Sequence, residues 1–264
     1  MNTEYLGSTL NAGIPSSCIT GYDNTGYILG TSSNLFNEVC ASSSTLPPTV
    51  LLSHNETLAL QTILNTAHAS STRDEYAAYP NPFYNYSSST LVAAQTELHL
   101  VDGGEALQNN PIWPFLHRPT VDVLIVNDNS ADTSANYPNG SEILTTYTQA
   151  VAAGLTRMPA IPPVSTFLSE GLNVRPTFFG CNNPNALTVV YLPNTNYTFD
   201  SGQSTARLEY DVADTMAMVA NGVQIGSFGG NATWAECLAC GIMRKSGVTL
   251  PKGCGACLEE FCYN

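Results

Sequence analysis

Charge is what this sequence has least of. Asp, Glu, Lys and Arg make up only 11% of its 264 residues, against about a quarter in an average globular chain. Lys and Arg number 8 against 21 Asp and Glu, for a net charge of −13. There is no basic stripe, which excludes the electrostatic footprint of a nucleic-acid binder and polybasic attachment to an anionic membrane. No apolar run approaches the roughly 18 residues that cross a bilayer. The opening MNTEYLGSTLNAGIPSSC contains no apolar core of a secretory leader. Long internal repeats and blocks of like charge are absent too. So is G-x-S-x-G, the nucleophile elbow of many ester hydrolases. GTSSN at 30–34 and GQSTA at 202–206 each lack the second glycine, so Ser32 and Ser204 read as turn or cap residues.

What is present points to a folded, extracellular chain. Apolar residues reach 43%, enough for a core, and the polar surface falls to Ser, Thr, Asn and Gln. The length allows one large domain or two small ones. Eight cysteines accompany five N-x-S/T sequons, at Asn55, Asn85, Asn139, Asn196 and Asn231. Single sequons arise by chance. Five of them, with an even cysteine count and few lysines, favour the secretory pathway over accidental matches in a Ser/Thr/Asn-rich chain.

Along the chain, 41–48 and 80–90 read as loops, where Pro, Asn and Ser cluster. Apolar positions at helical spacing predict a helix over 49–69. ELHLV predicts a short strand ending at Asp102. VDVLIVND, 121–128, has the continuous apolar pattern of a strand buried on both faces. A helix is predicted over 140–155 with Ser141 as its N-cap, and another over 211–223 between Asp211 and Gly222. RPTFFG and ALTVVYLP are further strands. Strands with interspersed helices indicate the α/β class.

Five cysteines stand near the C-terminus: Cys237, Cys240, Cys254, Cys257 and Cys262. The first four read C-x2-C-x13-C-x2-C, a spacing that also suits tetrahedral zinc, though its gap is shorter than the usual ~15–20 residues. With the sequons in the same chain, disulfides are the expectation, with zinc as a minor reading. Cys18, Cys40 and Cys181 are dispersed. Cys18 and Cys40 could pair, leaving Cys181 for the tail or for a segment outside the chain, since spacing does not fix connectivity.

None of the four histidines, His54, His68, His99 and His117, lies in a catalytic motif, and structural or surface roles fit all four. Asp102 is different. It stands where a strand stops, followed at once by Gly103 and Gly104, and functional groups of open α/β folds gather at the carboxyl ends of strands. Spacing leaves two readings open: a cap for the segment DGGEALQN, or a catalytic acid.

Here the chain resembles the fungal lysophospholipases, or phospholipases B, related to the cytosolic group IV phospholipases. EYLGSTLNAGIPSSCITGYDNTGYILGTSSNLFN, LVDGGEALQNNPIWPFLHRP, VDVLIVNDNSADT with NYPNG, and TWAECLACGIMRKSG to CGACLEEFCYN carry the resemblance. They span nearly the whole chain in the family's order. The resemblance implies an α/β, patatin-related catalytic domain that hydrolyses acyl esters of lysophospholipids and phospholipids through a Ser–Asp dyad without histidine. The Asp lands on Asp102. Gly103, Gly104, Asn109 and Pro111 fall in the same motif, the glycines shaping the loop and Asn109 offering a supporting hydrogen bond. Asp128 and Asp132 are assigned structural roles. The apolar PIWPF is expected to help build the acyl pocket.

The resemblance puts the nucleophilic Ser, the oxyanion-hole glycines and a phosphate-binding arginine upstream. The chain then corresponds to the C-terminal part of the enzyme: residues 1–233 belong to the catalytic domain, and 234–264 form its disulfide-linked tail. Its expected partners are the N-terminal part and the lipid substrate. No cofactor, metal or transmembrane segment is implied. The alternative is a non-catalytic secreted glycoprotein or binding module derived from the same fold.

Overall fold

The computed structural model describes residues 8–15, 24–34, 76–89, 91–205, 207 and 209–263. The helix predicted over 49–69 lies outside the described residues, as do Cys18, Cys40, His54, His68 and Asn55. The chain divides into two compact units, Met1–Ala106 and Leu107–Asn264.

In the first unit, β1 (Leu10–Asn11) and β2 (Ile14–Pro15) form a minimal hairpin, and α1 runs over Asn24–Ser32. Strands β3 (Ala77–Pro80) and β4 (Glu97–Leu100) pair antiparallel, with Ala77 opposite Leu100 and Pro80 opposite Glu97. The connection between them is held by the buried Asn81. Its amide donates to the carbonyls of Val92 at 2.7 Å and Gln95 at 2.6 Å, and its oxygen accepts the Phe83 N–H at 2.8 Å. This hairpin delivers the chain to Asp102.

The second unit is a mixed sheet with helices on both faces. Its elements in order are α2 (Trp113–Leu116), β5 (Val123–Asp128), α3 (Ser141–Ala152), α4 (Val164–Ser169), β6 (Thr177–Phe179), β7 (Thr188–Pro193), α5 (Val212–Gly226), α6 (Trp234–Met243) and α7 (Cys254–Phe261). The strand order is β5-β7-β6, with β5 parallel and β6 antiparallel to β7. Side chains alternate across a strand, so β7 supplies two cores. Val189 and Tyr191 join Phe179, Val126, Ile143, Phe167 and Ile112 on one side. Val190 and Leu192 join Phe178, Ile225, Trp234, Phe261 and the cysteines on the other.

The strand buried on both faces is therefore β7, all six residues of which are buried. The segment expected in that role, β5, has only β7 beside it among the described residues, and its Ile125 is 51% exposed. Two helix boundaries also differ from expectation. The cap of α3 is Gly140, in left-handed conformation at φ 87°, and Ser141 is the first helical residue. A Cβ on Gly140 would stand 2.5 Å from the Phe167 ring, so packing reserves this position for glycine. Helix α5 starts where expected, the Asp211 carboxylate accepting the Asp214 N–H at 2.7 Å. It passes through Gly222 and ends at Gly226, because a glycine weakens a helix without having to stop it.

The tail is part of the second core. Cys237 and Cys240 share one face of α6, and Cys254 and Cys257 share one face of α7. The helices bond as an antiparallel ladder, Cys237 to Cys257 and Cys240 to Cys254, with Cα–Cα distances of 4.9 and 5.3 Å. Cys181, left open by spacing, pairs with Cys262. The same end is held by the Tyr263 N–H donating to the Phe178 carbonyl at 2.9 Å.

Candidate functional site

Asp102 stands two residues beyond Leu100, the last residue of β4, and is half-buried. Its N–H donates to the Asn34 carbonyl at 2.9 Å and its own carbonyl accepts the Glu105 N–H at 3.3 Å. Carboxylate oxygen Oδ1 accepts the Gly104 N–H at 2.6 Å, capping a single 3₁₀ turn over Gly103–Ala106. The capping reading is thus realised for one oxygen. Among the described residues, no hydrogen-bond partner reaches Oδ2. The geometry accommodates both readings of the sequence at once: one oxygen fixes the carboxylate, and the other remains able to take a proton from a group brought within ~2.6–3.2 Å. Both glycines lie within the helical turn. The left-handed residue of the loop is Leu107, at φ 53°.

In the second unit, Asn109 joins a polar chain that ends inside the core. Its N–H donates to Oε2 of the buried Glu142 at 2.8 Å, and its Nδ2 donates to Ser130 Oγ at 3.2 Å. Ser130 donates its hydroxyl to Asp128 Oδ1 at 2.5 Å, and its N–H reaches the same oxygen at 3.0 Å. Tyr191 donates its hydroxyl to Asp128 Oδ2 at 2.6 Å. Asp128, at the end of β5, is 0% exposed. A carboxylate so buried is tolerable only when hydrogen-bonded, and here three donors meet it. Burial, and then the Asp128 charge, push the Tyr191 phenol well above its usual range, so it stays a proton donor.

Asp132 is half-buried, and its Oδ2 accepts the Asn139 N–H at 3.0 Å. Burial raises its pKa. The hydrogen bonds from Asn139 and Ser141 oppose that rise, and the nearby Asp128 charge adds to it.

Pro111 is exposed and precedes Ile112, which caps α2. Ile112 and Leu116 sit in the core, with Trp113 and Phe115 packed partly buried against it. The PIWPF segment, expected to help form an acyl pocket, is thus largely engaged in core packing. His99 stacks on Tyr76 with ring centroids 3.6 Å apart, and His117 is an exposed C-cap of α2. Ser32 donates to the Ile28 carbonyl at 2.8 Å, a helix-terminal role. Among the sequons, Asn85, Asn196 and Asn231 are exposed and Asn139 is half-buried.

Three participants escape sequence reasoning: Ser130, Glu142 and Tyr191. The local signal was a strand-terminal Asp128 with Ser130 two residues on, the spacing at which a side chain bonds its own backbone. Tyr191 lies 63 positions from Asp128 and carries no such signal.

The family model described as a lysophospholipase catalytic domain matches residues 1–264. Lysophospholipase 2 of Aspergillus fumigatus is 38% identical over 284 aligned residues, which cover 100% of this chain and 47% of that protein. A lysophospholipase of Penicillium chrysogenum is 37% identical, covering 99% of this chain and 45% of the relative. One from Kluyveromyces lactis is 35% identical, covering 100% and 44%. The chain therefore spans less than half the length of these relatives.

Proposed function

The chain belongs to the lysophospholipase catalytic-domain family, and from that premise we propose that it is the C-terminal part of a secreted, glycosylated lysophospholipase or phospholipase B. Asp102 is the general base of a Ser–Asp dyad whose serine lies in an N-terminal part outside this chain. The observation that carries this reading is the Asp102 carboxylate, with Oδ1 fixed by the Gly104 N–H at 2.6 Å and Oδ2 without a partner among the described residues.

A serine hydroxyl is a weak nucleophile until a base takes its proton. Oδ2 accepts that proton as the serine oxygen attacks the acyl carbonyl. The protonated Asp102 then returns it to the departing glycerol oxygen, leaving an acyl-enzyme. Water gives a proton to the same carboxylate as its oxygen attacks the acyl carbon; the bond to the serine oxygen breaks, and Asp102 returns that proton to the serine as the fatty acid is released. Asn109 and the buried Asp128 chain steady the polypeptide that follows the acid. Secretion is supported by the three disulfides among the described residues and by the exposed Asn85, Asn196 and Asn231.

Asp102→Asn in the complete enzyme tests the assignment. Asparagine retains an oxygen for the Gly104 N–H, so the cap survives while the base is lost. Turnover of lysophospholipid is expected to fall on the order of 10²–10⁴-fold with the thermal midpoint unchanged. Turnover at the unsubstituted rate defeats the assignment.

The cap itself favours a second reading, a non-catalytic glycoprotein that keeps the loop for structure alone. That reading requires the native protein to contain no polypeptide bearing a serine elbow. Size determination under native conditions, with peptide mapping of everything present, separates the two.

A further inference from the structure

Helix α5 presents an apolar face left exposed among the described residues of its own unit. Val212, Met216, Val219 and Val223 are 80%, 62%, 58% and 62% exposed. Spacings of four, three and four place them in one stripe along a 15-residue helix, about 22 Å long. The remaining exposed positions of the helix are alanine, glycine and Thr215. The Thr215 hydroxyl is already bonded to the Asp211 carbonyl at 2.8 Å. A continuous uncharged patch of this kind marks an interaction surface.

The opposite face is fixed. Asn221 is fully buried. Its oxygen accepts the N–H groups of Tyr197 at 2.9 Å and Thr198 at 3.0 Å, and its amide donates to the Thr195 carbonyl and Ser201 Oγ, both at 2.8 Å. Ile225 is buried beside it in the second core. The helix therefore cannot roll to hide the stripe.

Gly222 and Gly226 border the stripe one helical turn apart. Among the described residues, a Cβ at either would meet nothing within 4 Å. Neither has a left-handed φ, so the described residues give no reason for glycine, which weakens a helix relative to alanine. Small residues four apart let a second helix approach closely. A helix resting in a lipid interface carries Lys or Arg beside Trp, Phe or Leu, and VADTMAMVANGVQIG has none of these. The relatives are more than twice as long as this chain, which covers 44% to 47% of them.

We propose that the outward face of α5 is buried against a helix of the N-terminal part of the enzyme, with Gly222 and Gly226 at the closest approach. The inference rests on the preceding reading that such a part exists, and it names the surface on which that part docks.

The complete enzyme, carrying the photo-reactive p-benzoylphenylalanine in place of Val219, is irradiated and its cross-linked peptides are sequenced. The expected product joins α5 to a peptide from outside these 264 residues. Cross-links confined to residues 1–264, cross-links to a second copy or to added phosphatidylcholine vesicles, or no cross-link at all, each overturn the proposal. Gly222→Leu gives an independent reading in the same protein. An uncovered helix gains from losing the glycine, so a raised or unchanged thermal midpoint overturns the proposal. A midpoint lowered by several degrees supports it. Asp102→Asn keeps the two claims apart. If it abolishes turnover while α5 stays uncovered, only the docking surface is wrong. If the cross-link forms but turnover survives Asp102→Asn, only the catalytic assignment is.

Discussion

Tyr191 donates its hydroxyl to Asp128 at 2.6 Å, closing a buried polar chain from the sheet to Asn109. Tyr191→Phe removes the donor and leaves Asp128 Oδ2 inside the core. The cost is about 1–3 kcal/mol, read as a lower midpoint in urea. The pH dependence has a defined sign. The folded phenol is held above its ordinary value, whereas in the unfolded chain it ionises near ~10. Above roughly pH 10 the unfolded state binds fewer protons, and stability falls as pH rises. Denaturation curves across the alkaline range should show this slope in the wild type, with the Tyr191 contribution missing from the Phe variant.

Gly140 carries both a left-handed φ of 87° and a Cβ position 2.5 Å from the Phe167 ring. Gly140→Ala therefore imposes backbone strain and overpacking together. A loss of at least about 1–3 kcal/mol is expected, measured by thermal unfolding. Gly171, with φ 64° and its nearest contact at 3.6 Å, is the control. Alanine there meets the backbone strain alone and should cost less.

The three disulfides among the described residues should rank by the chain they close. Cys181–Cys262 spans 81 residues, Cys237–Cys257 spans 20, and Cys240–Cys254 spans 14 inside the latter. Chain entropy grows with loop length, and the innermost bond constrains a loop already closed by its neighbour. Paired Cys→Ala substitutions, followed by denaturant titration, should show the largest loss for Cys181–Cys262 and the smallest for Cys240–Cys254.

Sequon occupancy should be uneven. Asn139 is half-buried, and its oxygen accepts the Ser141 N–H at 2.9 Å at the start of α3. Asn85, Asn196 and Asn231 are exposed. Enzymatic deglycosylation in ¹⁸O-water with peptide mass spectrometry should label those three and leave Asn139 unlabelled. A fully occupied Asn139 would contradict the burial argument.

Local signals in the sequence carried far. β4 ends just before Asp102, the strands of the central sheet fall where apolar runs placed them, and Asp211 caps α5. The preference for disulfides over zinc followed from composition and is realised in the tail. Properties set by distant partners were hidden. Whether β5 is a centre or an edge depends on strand order, which its own residues do not encode. The role of Gly140 depends on Phe167, and the cysteine pairing depends on how α6 and α7 face one another. The two readings of Asp102 could not be separated by spacing, because a strand-terminal Asp before Gly-Gly suits either role; the structure shows one oxygen in the cap and, among the described residues, no partner for the other.

The bond between Cys181 and Cys262 makes the last third of the molecule a covalent ring that includes β7, α5, α6 and α7. A single proteolytic cut anywhere on that ring, for instance at the exposed Gly229–Gly230 turn, releases no fragment. A nicked molecule keeps its full complement of residues and migrates as one species until reductant is added. Integrity judged on a non-reducing gel will therefore overlook damage in this region, and a second cut between Cys240 and Cys254 would still leave every α-helix of the ring tethered.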